Sequence, residues 1–312
     1  MAKDNRPIKR AFPIGNDAGM FAGLNQLVNQ WSCADARKYT VSIDWRNCVY
    51  SREYGVADAW DQYFKRTDHT AKQAHVLSNE KTKYMGGGLH NIITPRGPVF
   101  SLSTRTWKWD VPYADASQVI LLPPKRPWRA KYIIDRYLHM HDAVFNAAAK
   151  TTRALDAAES PIIGVHVRGA GREHGGVKYL LQSHRLESPP YSLYFEYLDA
   201  LFMDYPTLRI FLATDCANVR NIFAAHYGRD RVFWRETDTV LPGGEGHLRI
   251  GERGAETRYR LGMDALVDAV VLCSCQHIVH GNSNLSNFVQ CLGADISHYD
   301  IFEPIYLEHE WL

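Results

Sequence analysis

The sequence has almost no net charge and no long hydrophobic run, and its first residues are polar. Its 36 Lys and Arg against 34 Asp and Glu leave +2 over 312 residues. A dedicated nucleic-acid binder usually carries a large basic excess, so we expect no nucleic-acid partner. No stretch approaches the roughly 18 apolar residues of a membrane span. Because the polar residues 1–6 lead into no apolar segment, we expect a cytoplasmic protein.

Other common signatures are missing as well. Six cysteines in a chain of 312 residues do not form a disulfide framework, and they fit small buried thiols in a reducing compartment. No Gly-x-Gly-x-x-Gly follows an early strand and precedes a helix, which argues against a conventional dinucleotide enzyme. Hydrophobic residues make up 46% of the chain, which is enough to bury a sizeable core in two domains or in one large domain.

The small net charge hides a difference between the two halves of the chain. Residues 1–156 hold 23 basic and 14 acidic side chains, whereas residues 157–312 hold 13 and 20. The N-terminal half therefore has a net positive charge and the C-terminal half a net negative charge. The basic half is suited to an anionic acceptor, to a peripheral membrane contact, or to pairing with the acidic half.

The C-terminal half alternates short apolar strands with amphipathic helices. Such alternation predicts a doubly wound parallel sheet, which binds ligands outside the carboxyl ends of its strands. The predicted strands are 161–167, 208–213, 231–234, 277–280 and 295–299. The predicted helices are 191–205, 217–227, 261–275 and 283–292.

The N-terminal half begins with a strand at 8–14, a helix at 21–38 and a strand at 40–45, and it ends with a long amphipathic helix at 128–155. We therefore expect two Rossmann-like α/β domains facing a cleft, 1–158 and 159–312. On the long helix, Asp135, His139 and Asp142 share one face with a spacing compatible with a metal. A solvated or salt-bridged face is the commoner explanation, and we expect no metal site.

The first candidate position follows strand 161–167. His166 and Arg168 are two residues apart at a strand end, so their side chains point the same way. A guanidinium suits a bidentate grip on a phosphate or diphosphate. A salt bridge from Arg168 to a carboxylate at the domain interface explains the pair equally well.

The second position is Asp215, after strand 208–213. A carboxylate there can accept from two adjacent N–H donors, which guanine offers on its Watson–Crick edge. The simpler interpretation, which we favour from sequence alone, is that Asp215 caps the helix from Ala217.

The third position is Asn282-Ser283-Asn284, between strand 277–280 and helix 283–292. Small polar residues at a helix N-terminus present free N–H groups, which suit a phosphate. Capping of the helix by Ser283 is again the simpler alternative. Together, the three strand ends predict a nucleotide diphosphate site.

These motifs resemble those of the His-x-Arg fucosyltransferases. The resemblance covers Ile163-Gly-Val-His-Val-Arg168, Phe211-Leu-Ala-Thr-Asp215, and His277-Ile-Val-His-Gly-Asn-Ser-Asn284. Within that superfamily the sequence is most similar to the nodulation-type α-1,6-fucosyltransferases of glycosyltransferase family 23, which have an element like Ile43-Asp-Trp-Arg46. Many relatives carry a second Arg where this chain has Gly169.

The resemblance implies a GT-B-like α/β fold, GDP-fucose as the donor substrate, inversion at the anomeric carbon, and no metal or other cofactor. The absence of an Asp-x-Asp sequence agrees with metal independence. It further implies that Arg168 holds the β-phosphate, that His166 and Asp215 hold the guanosine, and that Ser283 and Asn284 hold phosphate from the helix end. Asn282 belongs to the same donor-binding segment.

Transfer of a sugar also requires a base for the acceptor hydroxyl. Glu173, in the loop that leaves the Arg168 strand, is the first choice, although a solvated loop acid is the simpler explanation. Asp17 and Glu245 are reserves in the loops expected to face the cleft, where Asn25 is also expected. We expect the acceptor to be a glycan or a lipid-linked glycan. Two alternatives stay open: a glycosyltransferase for GDP-mannose or a UDP-sugar, and a non-catalytic glycan-binding relative.

Overall fold

We describe the protein from a computed structural model. It describes residues 8–11, 20–21, 23–25, 27–28, 31, 40–43, 45–46, 48–67, 91–92, 100–101, 127–156, 160–168, 191–239, 250–281 and 283–301.

The described part of the N-terminal half holds short strands and three bounded helices. The strands are β1 (Ile8–Ala11), β2 (Thr40–Ile43), β3 (Phe64–Lys65), β4 (Asn91–Ile92), β5 (Phe100–Ser101) and β6 (His139–Met140). The helices are α1 (Trp60–Tyr63), α2 (Pro127–Tyr137) and α3 (Asp142–Asp156), and the described residues between Met20 and Trp31 are also helical. β1 pairs with β2 in parallel, whereas β3–β6 and β4–β5 are antiparallel pairs.

The C-terminal half is built on one parallel sheet of five strands, in the order β11-β10-β7-β8-β9. The strands are β7 (Ile162–Val167), β8 (Arg209–Thr214), β9 (Val232–Phe233), β10 (His277–His280) and β11 (Ser297–Asp300). The helices are α4 (Tyr191–Asp204), α5 (Ala217–Tyr227), α6 (Ala255–Leu272) and α7 (Asn284–Leu292). The predicted alternation of strands and helices is confirmed.

The sheet is apolar on both faces because helices cover both of them. All six residues of β7 are buried, as expected of a central parallel strand. Ile163, Val165 and Val167 face a core formed with α4 and α5. Residues on the opposite face, such as Ile162, belong to a second core. Because side chains alternate along a strand, His166 lies on the face of this second core.

The second core contains residues from both halves of the chain. Trp31, Trp60 and Tyr63 share it with Leu266 and Phe288. Contact with the N-terminal half is especially close at α6, where a methyl group on Gly262 would overlap the Tyr63 hydroxyl and the end of the Met20 side chain. The N-terminal half is therefore packed against α6 and α7, the helices whose residues share the core on the sheet face that carries His166. The division of the chain at residue 158 stays a prediction.

The prediction of one long helix over 128–155 is wrong. The segment is divided into α2 and α3 by β6, which pairs antiparallel with β3, and the His141 amide donates to the Tyr63 carbonyl at 2.9 Å. The break separates the three residues that were expected to share a helix face. Asp135 pairs with Lys131 within α2, and Asp142, the first residue of α3, pairs with Lys65 of β3.

Helix α6 begins at Ala255, before the predicted Leu261. The extra turns are held by the N-terminal half: Arg52 pairs with Glu256 at 2.9 Å, and Arg258 donates to the carbonyl oxygens of Ser51 and Arg52. Among the helices in the described ranges, none has the length and hydrophobicity that a membrane crossing requires.

Candidate functional site

The three strand ends singled out by the sequence are neighbours in the sheet. β7 lies between β10 and β8, and register pairs His166 with His280 on one side and with Ala213 on the other. Parallel strands end at the same edge, so the residues that follow them meet there. This brings together His166 and Arg168, Asp215, and the Ser283–Asn284 turn.

His166 is a buried, neutral imidazole. It is 7% exposed, and burial, together with the Arg168 charge, lowers its pKa to about 3. Its Nδ1 lies 3.4 Å from the Ser283 hydroxyl oxygen. Near neutral pH, His166 is therefore a hydrogen-bonding group, and the positive charge at this strand end is supplied by Arg168.

Arg168 and Asp215 both act on the Tyr50 phenol, which comes from the N-terminal half. Burial raises the pKa of Tyr50, the Asp215 carboxylate raises it further, and the Arg168 guanidinium lowers it. The Tyr50 oxygen also accepts from the Met20 amide. A residue of the N-terminal half is thus within electrostatic range of both charged side chains at the ends of β7 and β8.

Tyr50 was missed by the sequence reasoning. The available signal was its place four residues after Ile43-Asp-Trp-Arg46, the one N-terminal element that carried the family resemblance. Its main chain is held firmly, because the Tyr63 hydroxyl donates to the Tyr50 carbonyl oxygen at 2.7 Å.

Asp215 is not the N-cap residue of the following helix. That position belongs to Cys216, whose amide donates to the Thr214 hydroxyl at 3.3 Å. The prediction that Asp215 caps this helix is therefore wrong by one residue. Asp215 itself is half-buried and lies at the site edge beside Tyr50.

Ser283 is the N-cap of α7, as its alternative interpretation predicted. Its hydroxyl accepts from the Ser286 amide at 3.1 Å, and the Ser286 hydroxyl accepts from the Ser283 amide at 2.9 Å. This capping box fixes the helix end. The first intrahelical bond runs from the Asn287 amide to the Ser283 carbonyl, so the amides of Asn284 and Leu285 point out of the helix end toward the site.

Asn25 is one of the helical residues described between Met20 and Trp31, and it is 2% exposed. Its side-chain amide donates to the Asn284 carbonyl oxygen at 2.9 Å. The helix predicted over 21–38 is confirmed at this position, and the contact of Asn25 is with the donor-side helix. Glu173, Asn282, Asp17 and Glu245 lie outside the described residues.

A second buried histidine supports this edge of the sheet. His280, the last residue of β10, has its pKa lowered to about 3, chiefly by burial. Its Nδ1 lies 3.3 Å from the Gly281 carbonyl oxygen, and its Nε2 lies 3.0 Å from the Gln290 amide nitrogen. The carbonyl must accept, so Nδ1 carries the proton and Nε2 accepts from Gln290.

A buried charge cluster links the segment after β9 to α6. Arg235 donates to Asp264 at 2.7 Å and to Asp268 at 3.1 Å. Burial raises the pKa of Asp268 to about 6, against the opposing effect of Arg235. In the described ranges, no group of three or more His, Cys, Asp or Glu is arranged to hold a metal ion. Metal independence stays a prediction.

No protein-family model and no curated protein matches the sequence. The backbone is nevertheless similar to solved structures of NodZ α-1,6-fucosyltransferase. For the protein co-crystallized with GDP, the TM-score is 0.52 at 18% identity, over 91% of this chain and 92% of that one. For the protein soaked with GDP-fucose, it is 0.54 at 17% identity, over 91% and 92%.

A further structure, fucosyltransferase NodZ from Bradyrhizobium, gives a TM-score of 0.54 at 17% identity and covers 95% of this chain and 96% of that chain. The likeness therefore runs through both halves and concerns the fold. The predicted fold class is confirmed: this chain has the α/β, GT-B-like fold seen in these fucosyltransferases.

Proposed function

We propose that this protein is an inverting, metal-independent glycosyltransferase that moves fucose from GDP-fucose to a glycan hydroxyl. The observation that carries the proposal is the meeting of three groups at one sheet edge: the guanidinium of Arg168, the carboxylate of Asp215, and the amino end of α7. Solved structures with the same fold are named as α-1,6-fucosyltransferases and were obtained with GDP or GDP-fucose.

The diphosphate is held by Arg168 and by the amino end of α7. A guanidinium offers paired N–H donors, and a helix N-terminus offers outward amides and the positive end of its dipole. The C-terminal half carries more acidic than basic residues, 20 against 13. An anion must therefore be held by these local groups, because a general positive field is missing there.

The nucleoside is held by the other two groups. Asp215 accepts from the two adjacent N–H groups that guanine presents on its Watson–Crick edge. His166 contributes its imidazole. Because the pKa of His166 is low, the imidazole is neutral near pH 7 and binds the nucleoside through hydrogen bonding. We place Asn282 in the same donor-binding segment as Ser283 and Asn284.

The chemical step is a displacement at the anomeric carbon. The acceptor oxygen forms its bond to that carbon from the face opposite the diphosphate. The carbon–oxygen bond to the β-phosphate breaks, and its electron pair leaves on GDP. Arg168 and the α7 amides stabilise the negative charge that develops on the leaving group. The acceptor proton goes to a carboxylate, for which we propose Glu173, with Asp17 and Glu245 as the reserves.

The donor is tested by comparing ligands on the purified protein. We expect GDP and GDP-fucose to raise the thermal unfolding midpoint, and GDP-mannose and UDP-GlcNAc to raise it less. A transfer assay with Glu173→Gln then tests the base: transfer should fall by about two to four orders of magnitude while GDP binding is retained. Preferential stabilisation by UDP-GlcNAc would favour the alternative donor class. Glycan binding without GDP binding would favour the non-catalytic relative.

We propose that the N-terminal domain, residues 1–158, serves the acceptor, which is a glycan or a lipid-linked glycan. Its 23 basic side chains over residues 1–156 suit an anionic acceptor or a membrane surface. If either is the partner, the acceptor KM should rise with salt, since charges more than about 10 Å apart are screened at 0.1 M. A KM that does not change with salt would contradict this assignment. We also propose a cytoplasmic location.

A further inference from the structure

The parallel ladder between β7 and β10 ends where the candidate site begins. Register runs from Ile163 opposite His277 to His166 opposite His280. Hydrogen bonds along a parallel ladder are evenly spaced, and the next one would join the Gly281 amide to the His166 carbonyl oxygen. Neither group is left unpaired. The Gly281 amide donates to the Tyr194 hydroxyl at 3.0 Å, and that hydroxyl donates to the His166 carbonyl at 3.0 Å.

The Tyr194 side chain is firmly held. It lies on α4, is 0% exposed, and packs in the core on the other face of the sheet, with its ring 6.1 Å from that of Phe223. Burial raises the pKa of the phenol, so the hydroxyl keeps its proton and remains a donor. It therefore replaces one direct bond of the ladder with two bonds through a fixed oxygen atom.

We propose that Tyr194 is a positioning residue for the donor site: its hydroxyl sets the separation of the ends of β7 and β10. This inference rests on the proposed function. The two strand ends carry the two grips on the diphosphate, Arg168 after β7 and the amino end of α7 after β10. A ligand held from both sides requires a fixed distance between them. The inserted hydroxyl supplies that distance before the ligand binds.

The substitution Tyr194→Phe removes both bonds and keeps the ring. The Gly281 amide and the His166 carbonyl must then bond directly or through water, and in either case the Gly281 main chain moves relative to that of His166. GDP touches both strand ends, so its Kd should rise about tenfold. Guanosine is assigned to His166 on β7 and to Asp215, which follows β8, and its Kd should change less than about twofold.

Tyr197→Phe is the matched control. Tyr197 lies one turn further along α4, and its hydroxyl lies 3.0 Å from Nε2 of His277, at the opposite end of β10. This variant loses a phenol hydrogen bond to the same strand, away from the site. It should lose less thermal stability than Tyr194→Phe, because one half-buried hydrogen bond is lost in place of two buried ones, and it should bind GDP like the wild type. Equal GDP affinities in both variants, both matching the wild type, would overturn the inference.

Two readouts do not depend on ligand affinity. A crystal structure of Tyr194→Phe should show a changed separation of the Gly281 nitrogen and the His166 oxygen, and an unchanged separation would overturn the inference. If that variant does not fold, hydrogen exchange on the wild-type protein decides: the Gly281 amide should exchange as slowly as that of Val279 in the ladder, and rapid exchange would overturn the inference. Failure of the wild-type protein to bind GDP would overturn the proposed function. The crystal structure and the hydrogen exchange would still test whether Tyr194 sets the separation of the ends of β7 and β10.

Discussion

The side-chain amide of Asn25 donates to the main-chain carbonyl oxygen of Asn284 at 2.9 Å, joining residues 259 positions apart. Asn25 is buried in the N-terminal helical segment, and Asn284 is the first residue of α7. The amino end of α7 is one of the two proposed grips on the diphosphate. The N-terminal half therefore supports the donor side of the site directly, in addition to the acceptor side proposed for it.

Replacing Asn25 with Ala should lower the free energy of unfolding by about 1–2 kcal/mol, because a buried hydrogen bond is lost. It should also weaken GDP binding severalfold, since the helix end is less constrained. Urea unfolding and calorimetry measure the two effects. Asn221→Ala, on the exposed surface of α5, is the control and should change stability by less than about 0.5 kcal/mol. Equal stabilities for the two variants would contradict the role of Asn25.

Gly262→Ala should destabilise the protein even though Ala favours helix. The added methyl group would overlap the Tyr63 hydroxyl and the Met20 side chain at the contact between α6 and the N-terminal half. Overpacking of this kind costs about 1–3 kcal/mol. Gly254→Ala is the control, because a methyl group there meets nothing within 4 Å. Urea denaturation that ranked Gly254→Ala as the less stable variant would contradict the close approach at Gly262.

Arg235→Ala should destabilise the protein by about 3 kcal/mol or more, because it leaves the largely buried Asp264 and Asp268 carboxylates without their shared partner. The comparison is Arg260→Ala, which breaks the pair with Asp238, in which the two side chains are 56% and 41% exposed. Exposed pairs contribute less than about 1 kcal/mol. Chemical denaturation should show a clearly larger loss of unfolding free energy for Arg235→Ala than for Arg260→Ala. Similar losses in the two variants would be inconsistent with a buried cluster.

Stability should fall as the pH is lowered from about 6.5 toward 3. His166 and His280 both have a pKa of about 3 in the folded protein, below the ordinary value of 6.5. In that window the unfolded chain binds more protons than the folded one, so acid favours unfolding. Denaturation at pH 7.5 and pH 5.0 measures the effect, and His280→Gln should reduce its slope. A slope unchanged by that substitution would show that His280 is not buried in the neutral form.

The central sheet is predictable from sequence because local signals determine it. β7, β8 and β10 are short apolar runs, and the polar residues after them are visible in the sequence. The break between α2 and α3 is not, because Leu138 and Met140 continue the helical pattern. The strand at His139–Met140 exists because it pairs with Phe64–Lys65, some 75 residues earlier. That pairing is a tertiary preference that overrides local propensity.

The candidate site divides in the same way. His166 can be located because it lies near the end of a predicted strand, and Arg168 and Ser283 because they follow predicted strands. Tyr194 cannot, because its hydroxyl is brought in from a helix with no motif, and for Tyr50 the sequence offers only its nearness to Ile43-Asp-Trp-Arg46. Asp215 shows that a helix can be predicted more accurately than its first residues. The helix from Ala217 was predicted correctly, yet its N-cap is Cys216, one residue after Asp215.

The central claim is that Arg168 holds a nucleotide diphosphate, and calorimetric titration of GDP into matched arginine variants tests it most directly. Arg153→Ala, on the exposed surface of α3, removes the same charge away from the site and should bind GDP like the wild type. Arg168→Ala should bind GDP about 10- to 100-fold more weakly, as expected for the loss of a charged hydrogen-bond donor. GDP affinity equal to that of the wild type in Arg168→Ala would contradict the account.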